Sequence, residues 1–157
     1  MSKAIDQGRF TQELFDILDE TFETHHGIYL DKGTSLFETL DTITAAEASS
    51  PVGGKCASLA AQVAHVTFYL EVLERYMLAK DAGDVDWGEI WRTIREVTPE
   101  EWVGLKEQLH QTYRRVFEMM RRLETWDDNI PIGGALAILV HTAYHLGEIR
   151  QALCILK

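Results

Sequence analysis

Apolar residues recur at intervals of three and four in four separate stretches of the chain, and no stretch alternates with a period of two. The first stretch runs from about Gly8 to Gly27, with Phe10, Leu14, Ile17, Leu18, Thr21 and Phe22 on one face and Gly27 as the stop. The second opens at Ser58, whose hydroxyl can accept first-turn amides as an N-cap, and runs to about Lys80. On its wheel Thr67, Glu71, Glu74 and Arg75 share one polar wedge of about 100°. Leu59, Ala61, Val63, Val66, Phe68, Leu70, Val72 and Leu73 take most of the rest, so this helix must touch neighbours on more than one side. The third has the clearest start. In "TPEE", Thr98 is placed to be N-cap, Pro99 takes the first helical position and Glu101 stands where a capping-box carboxylate belongs. Trp102, Leu105, Leu109, Tyr113, Val116, Met120 and Leu123 then form one stripe opposite a charged face. The fourth follows "DDNIPIGG", runs from about Ala135 to Leu156, and is apolar nearly all round.

Two connections carry structure of their own. The segment from Gly27 to Lys55 mixes helix-compatible pieces with Gly, Ser and Pro and holds enough apolar residues to pack, so it reads as a long crossover that contributes to a pocket mouth. "DAGDVDWGEIWRTIREV" places Trp87 and Trp91 four apart on a short helix capping the bundle end. The pattern as a whole predicts an all-α fold, a four-helix bundle of up-down type with a long first crossover, formed by residues 1–157 as one domain.

Composition narrows the partners. A chain of 157 residues with 46% hydrophobic content can bury one core but not two. Its net charge of -10 repels phosphate backbones and anionic lipid, and no Lys/Arg-rich run overrides that field, so nucleic acid and membrane are not expected partners. Cys56 and Cys154 have neither metal-finger nor redox spacing, which fits a reducing cytoplasm. The N-terminal "MSKAIDQGRFTQELFDILDE" lacks a signal-peptide core, and no apolar run is expected to be long enough to span a bilayer.

The fourth helix then raises a question of chemistry, because "LVHTAYHLGEIRQ" sets two histidines into an apolar surface. Residues four apart are separated by about 40° and about 6 Å of rise, so His141 and His145 stack their rings on the face that also carries Ile138, Glu148 and Ala152. Such a pair can chelate one divalent ion, or each ring can be a neutral, hydrogen-bonded core histidine. His65 adds a third ring on the apolar arc of the second helix, in the row Ala61, His65, Phe68, Val72. There an unpartnered imidazole costs about 1–3 kcal/mol in desolvation, so a partner is expected. If the second and fourth helices are neighbours, three nitrogens converge and leave positions open for water or substrate.

Other polar residues are assigned elsewhere. His25 and His26 sit at the end of the first helix, where partial positive charge suits the C-terminus, and His110 lies among Lys106, Glu107 and Arg114 on an outer face. The two Glu-x-x-His patterns, Glu23 with His26 and Glu107 with His110, have the spacing of a di-iron bundle but point away from the apolar stripes. Tyr144 lies beside the histidine pair on a different face and is read as packing. Cys154 is read as a small buried residue on a row with Ala143 and Gly147 that permits close approach of a partner helix, and Cys56, near Lys55, as the more reactive thiol.

Taken in order, "AAQVAHVTFYLEVL", "WGEIW", "TPEEWVGL" and "HTAYHLGEIR" resemble the DinB-like family of metal-binding four-helix bundles, which includes thiol-dependent S-transferases and isomerases. The resemblance covers essentially the whole chain, from "LFDILDETF" through "TSLFETLD" to the C-terminus. It implies that His65, His141 and His145 are metal ligands, that the ion is nickel or zinc, with iron also compatible with imidazole nitrogen, and that water fills the open positions. Many relatives have glutamine where this chain has Glu148, a departure that adds a carboxylate able to orient an imidazole, act as general base, ligate the metal, or simply pair with an arginine.

Two kinds of function follow from that resemblance. In one, the metal activates a thiol or water, as in a low-molecular-weight thiol S-transferase or a related hydrolase or isomerase acting on a small molecule. In the other, a non-catalytic, stress-associated bundle uses the metal to organise its fold or sense a ligand. The apolar circumference of the fourth helix predicts a symmetric homodimer in either case.

Overall fold

The computed structural model describes residues 5–157, and the first four residues of the N-terminal stretch discussed above lie outside them. Within the described residues every regular element is helical: α1 (Gln7–Phe22), α2 (Leu36–Asp41), α3 (Ala45–Ser49), α4 (Leu59–Ala79), α5 (Glu89–Thr93), α6 (Pro99–Arg121) and α7 (Asn129–Leu156). The four long helices fall on the four periodic stretches, and α4 is central, packing most extensively on α6 and α7 while α1 lies on α7.

Local chemistry sets the boundaries. Ser58 caps α4 through a bond from the Ala61 amide at 3.2 Å, and the helix ends with Lys80 in the left-handed region. Thr98 and Glu101 form the expected capping box, with Pro99 opening α6. Of the stripe on α6, Trp102, Leu109, Tyr113, Val116 and Met120 are buried, and the Trp102 indole N–H donates to the Ile43 carbonyl at 2.8 Å. That bond ties the crossover to α6.

Two helix ends depart from the expected positions. α1 stops at Phe22 and not near Gly27, because the Glu20 carboxylate, fully buried, accepts the backbone amides of His26, Ile28, Tyr29 and Leu30 and turns the chain back on itself. Burial alone would raise its pKa, but those four amides outweigh it and hold the carboxyl down at about 2. At the other end, α7 begins six residues before Ala135, capped by Asp128, with Pro131 in the first turn, where its missing N–H has no helical acceptor to lose. Gly134 is therefore interior, and α4 packs closely on it: a Cβ would stand 2.7 Å from the Met77 side chain, which would have to shift.

The crossover folds into α2 and α3, whose Leu36, Leu40 and Ala48, with Ile43 between them, join the core. Thr67, expected in the solvated wedge of α4, is instead buried and donates its hydroxyl to the Val63 carbonyl, because neighbours surround the first half of the helix completely. The reading that no apolar run spans a bilayer is also corrected. α7 is 28 residues long and contains an 18-residue window of mean hydropathy 1.3, a length and composition that core helices share with membrane spans. Its inner side packs on α4 and α1.

Candidate metal centre

The fully buried first half of α4, from 59 to 67, delivers His65 into the α4–α7 interface, and α7 presents His141 and His145 one turn apart on the facing side. The ring centroids lie 5.1 Å (His65–His141), 5.0 Å (His65–His145) and 4.5 Å (His141–His145) apart. One ligating atom from each residue lies within 4.8 Å of the others, and this trio could hold a metal ion. Two Zn–N bonds of about 2.1 Å at a tetrahedral angle would separate their nitrogens by about 3.4 Å, inside the span within which these atoms lie.

Hydrogen bonding sorts the nitrogens. His145 Nδ1 lies 2.9 Å from the Glu148 carboxylate and 3.2 Å from Gln62 Oε1, so Nδ1–H donates to these acceptors and Nε2 keeps its lone pair. His65 Nδ1 and His141 Nε2 are buried with no protein partner. Buried polar atoms of this kind carry a desolvation cost that a bound cation removes. Glu148 thus contacts an imidazole, as an orienting role requires. Gln62 had gone unremarked in the sequence; a buried amide one turn before His65 in an otherwise apolar helix was the available signal.

Aromatic rings close the site. Tyr69 stacks on His141 with centroids 3.6 Å apart and planes 11° from parallel, and Trp91 of α5 lies against His65 at 4.3 Å. Trp87, just before α5, meets Phe68 and Tyr69. Trp91 therefore covers His65 and His145 from the side, and Trp87 backs the Tyr69 ring that stacks on His141.

Burial pushes the His141 pKa down to about 3 and the His65 pKa to about 4, with the neighbouring rings adding to the effect; the His145 pKa is also lowered by burial, against the pull of Glu148. All three are neutral at pH 7, the state that ligates metal. Between about pH 6.5 and pH 4 the unfolded chain binds protons that the folded chain refuses, so metal-free protein is most stable above pH 6.5 and loses stability with acid through that window. Urea midpoints in EDTA should fall from pH 7 to pH 5, above the carboxylate range, and a His65→Gln/His141→Gln variant should show a shallower slope.

A cavity of about 790 Å³ opens beside His145, lined among others by Gln62, Trp91, Glu148, Cys56 and Tyr144. Tyr144 is not buried by packing: it is 61% exposed at this mouth, its ring and that of His145 in an edge-to-face pair. The crossover contributes to the mouth through Val52, Cys56 and Ala57.

The remaining assignments fare unevenly. His26 lies beyond the shortened α1, its Nε2 2.5 Å from the Asp19 carboxylate, which raises its pKa; it pairs with a side chain in place of the helix terminus. His110 is half-buried, its ring 4.3 Å from Phe37 and its Nε2 3.8 Å from Glu23, because α2 folds over that part of α6. Members of the two Glu-x-x-His patterns therefore meet, but at a surface depression, and among the described residues the histidine trio is the cluster with ligand spacing. Cys154 is exposed, and so is Cys56. The chain matches no protein-family model, no curated protein and no solved structure, so the meaning of the trio rests on its own residues.

Proposed function

We propose that this chain is a DinB-like four-helix-bundle protein, built on α1, α4, α6 and α7, that binds one divalent ion through His65, His141 and His145 and uses an open coordination position to activate a thiol or water. The observation that carries this reading is the convergence of three neutral imidazoles from two helices, two of them with buried unpartnered nitrogens and the third, His145, at the wall of an accessible cavity. Three neutral ligands leave the ion its full charge, so it can lower the pKa of a bound water to about 7 or hold a thiol as thiolate. Zinc or nickel suits such a nitrogen set, with iron also compatible. Glu148 fixes the His145 tautomer, and the aromatic wall limits water at the metal.

The reaction class proposed is transfer of a low-molecular-weight thiol to a small electrophile, or a related isomerisation or hydrolysis. Elemental analysis of the purified protein should find about one equivalent of metal per chain, and thiol–electrophile panels should show turnover that EDTA removes and metal restores. Bound metal without turnover in any panel would leave the ion and remove the enzyme. The exposed Leu136 and Val140, one turn apart on α7, support association as a symmetric dimer, which a monomeric mass in light scattering would refute.

A further inference from the structure

Next to the histidine cavity lies a second cavity of about 540 Å³, and the two share three wall residues, Cys56, Ala57 and Trp91. They are two compartments of one cleft. Their chemistry differs. The compartment beside His145 has no Lys or Arg in its wall, and its surface is mainly apolar, with Val52, Ala152, Ile155 and Trp91 among its lining. The outer compartment is bounded by Lys55 and Arg95, neither of which forms an ion pair among the described residues, against one acid, Glu96. In a chain with a net charge of -10, this compartment carries a local positive excess. It also lies at the start of the 21-residue helix α4, through Ala57, Ser58 and Ala61, where the partial positive charge of the helix terminus adds to the two cations. The Ser49 and Ser58 hydroxyls there are engaged with Val97 and Ala61, so the outstanding capacity is cationic.

We propose that the cleft binds an elongated organic anion, with a phosphate or carboxylate between Lys55 and Arg95 and an uncharged body that passes Cys56 and Trp91 into the apolar compartment beside His145. The anion is held by charge-assisted bonds to the two side chains, and the body displaces water from apolar wall. A cationic tail is disfavoured in the outer compartment, and a second anionic group is disfavoured along the inner wall, where the only fixed charge is that of Glu148. The proposal does not depend on a bound metal.

Cys56 stands where the compartments meet, and Cys154, also exposed, lines neither, so alkylation by iodoacetamide read peptide by peptide contains its own control. Hexyl phosphate and heptanoate are the probes, with hexanol as the uncharged comparison. At saturation at least one anionic probe should slow Cys56 alkylation by about tenfold or more and leave Cys154 unchanged, while hexanol at the same concentration slows Cys56 less than about twofold. Which anion protects distinguishes phosphate esters from carboxylates. In a Lys55→Glu/Arg95→Glu variant, both changes being at exposed positions, the concentration giving half protection should rise by about tenfold or more. Protection by neither anion, equal protection by hexanol, or an unchanged concentration in the variant overturns the proposal. The same series is run on EDTA-treated and zinc-loaded protein. Protection that survives in protein unable to take up zinc supports the anion compartment while removing the metal reading, whereas protection that requires zinc and ignores Lys55 and Arg95 places the anion on the metal and overturns it.

Discussion

His145→Ala is expected to weaken zinc or nickel binding by more than about 100-fold, the upper end of what loss of an outer-shell partner costs, while Gln62→Leu and Glu148→Gln each cost about 10–100-fold. The ordering follows from the geometry. His145 is the one ring of the three whose tautomer is fixed by protein acceptors, so it offers Nε2 to the ion with the least rearrangement. Gln62 and Glu148 only orient that ring, and either can substitute in part for the other because both accept from the same Nδ1–H. Isothermal titration of metal into EDTA-treated protein measures all three variants. Equal losses in the three, or a His145→Ala protein that still binds tightly, would remove this ring from the centre.

The same variant separates a working site from a structural one. Metal at about 1,000 times its Kd stabilises the folded state by about 4.1 kcal/mol, which in a chain of this size is on the order of 10 °C in Tm, and His145→Ala, with its affinity lowered more than about 100-fold, should lose at least about 2.7 kcal/mol of that at the same metal concentration. If the metal-free parent and variant already melt within a few degrees of each other and an inhibitor displaces water from the loaded parent, the open position is the point of the site. A metal-free parent that is largely unfolded, with no exchangeable position when loaded, would make the ion a fold organiser.

What the sequence revealed and what it hid follow one physical division. The starts of α4 and α6 were readable because a Ser at 58 and the Thr98, Pro99, Glu101 trio act on amides within their own first turn. His141 and His145 were readable as a pair because helix geometry alone sets their rings together, whereas His65 joined them only on the assumption that α4 and α7 are neighbours, which the packing bears out. Features governed by distant partners were hidden. His110 is half-covered because α2 lands on it, Thr67 is buried because α4 is enclosed, and Tyr144 is exposed because the cavity opens at its side of α7.

The most consequential hidden residue is Glu20, which gave no signal in the sequence beyond being one of several acids on an amphipathic helix. Glu20→Gln is expected to destabilise the protein by about 2–3 kcal/mol, and Glu20→Ala by at least as much. The carboxylate accepts amides from four residues, with Oε1 facing Tyr29 and Leu30 and Oε2 facing His26 and Ile28. A glutamine keeps one acceptor and turns an NH₂ donor toward two N–H groups, so half of the arrangement becomes repulsive. The estimate stays below the largest known values because His26, Ile28 and Tyr29 are exposed residues whose amides water can reach in part. The pH dependence has a fixed sign: with a folded pKa of about 2 against an ordinary value of 4.5, the carboxylate's contribution is complete above pH 4.5 and is lost as pH falls toward 2. Parent and Glu20→Gln urea midpoints should therefore differ most at neutral pH and converge in acid. Because these amides fix the start of the crossover whose far end forms the cavity mouth, the variant should also loosen residues 26–30 in hydrogen exchange before it affects metal binding by His65, His141 and His145. A Glu20→Gln protein as stable as its parent at pH 7 would show that the turn is held by its apolar contacts and the Thr21–Tyr29 hydroxyl bond instead.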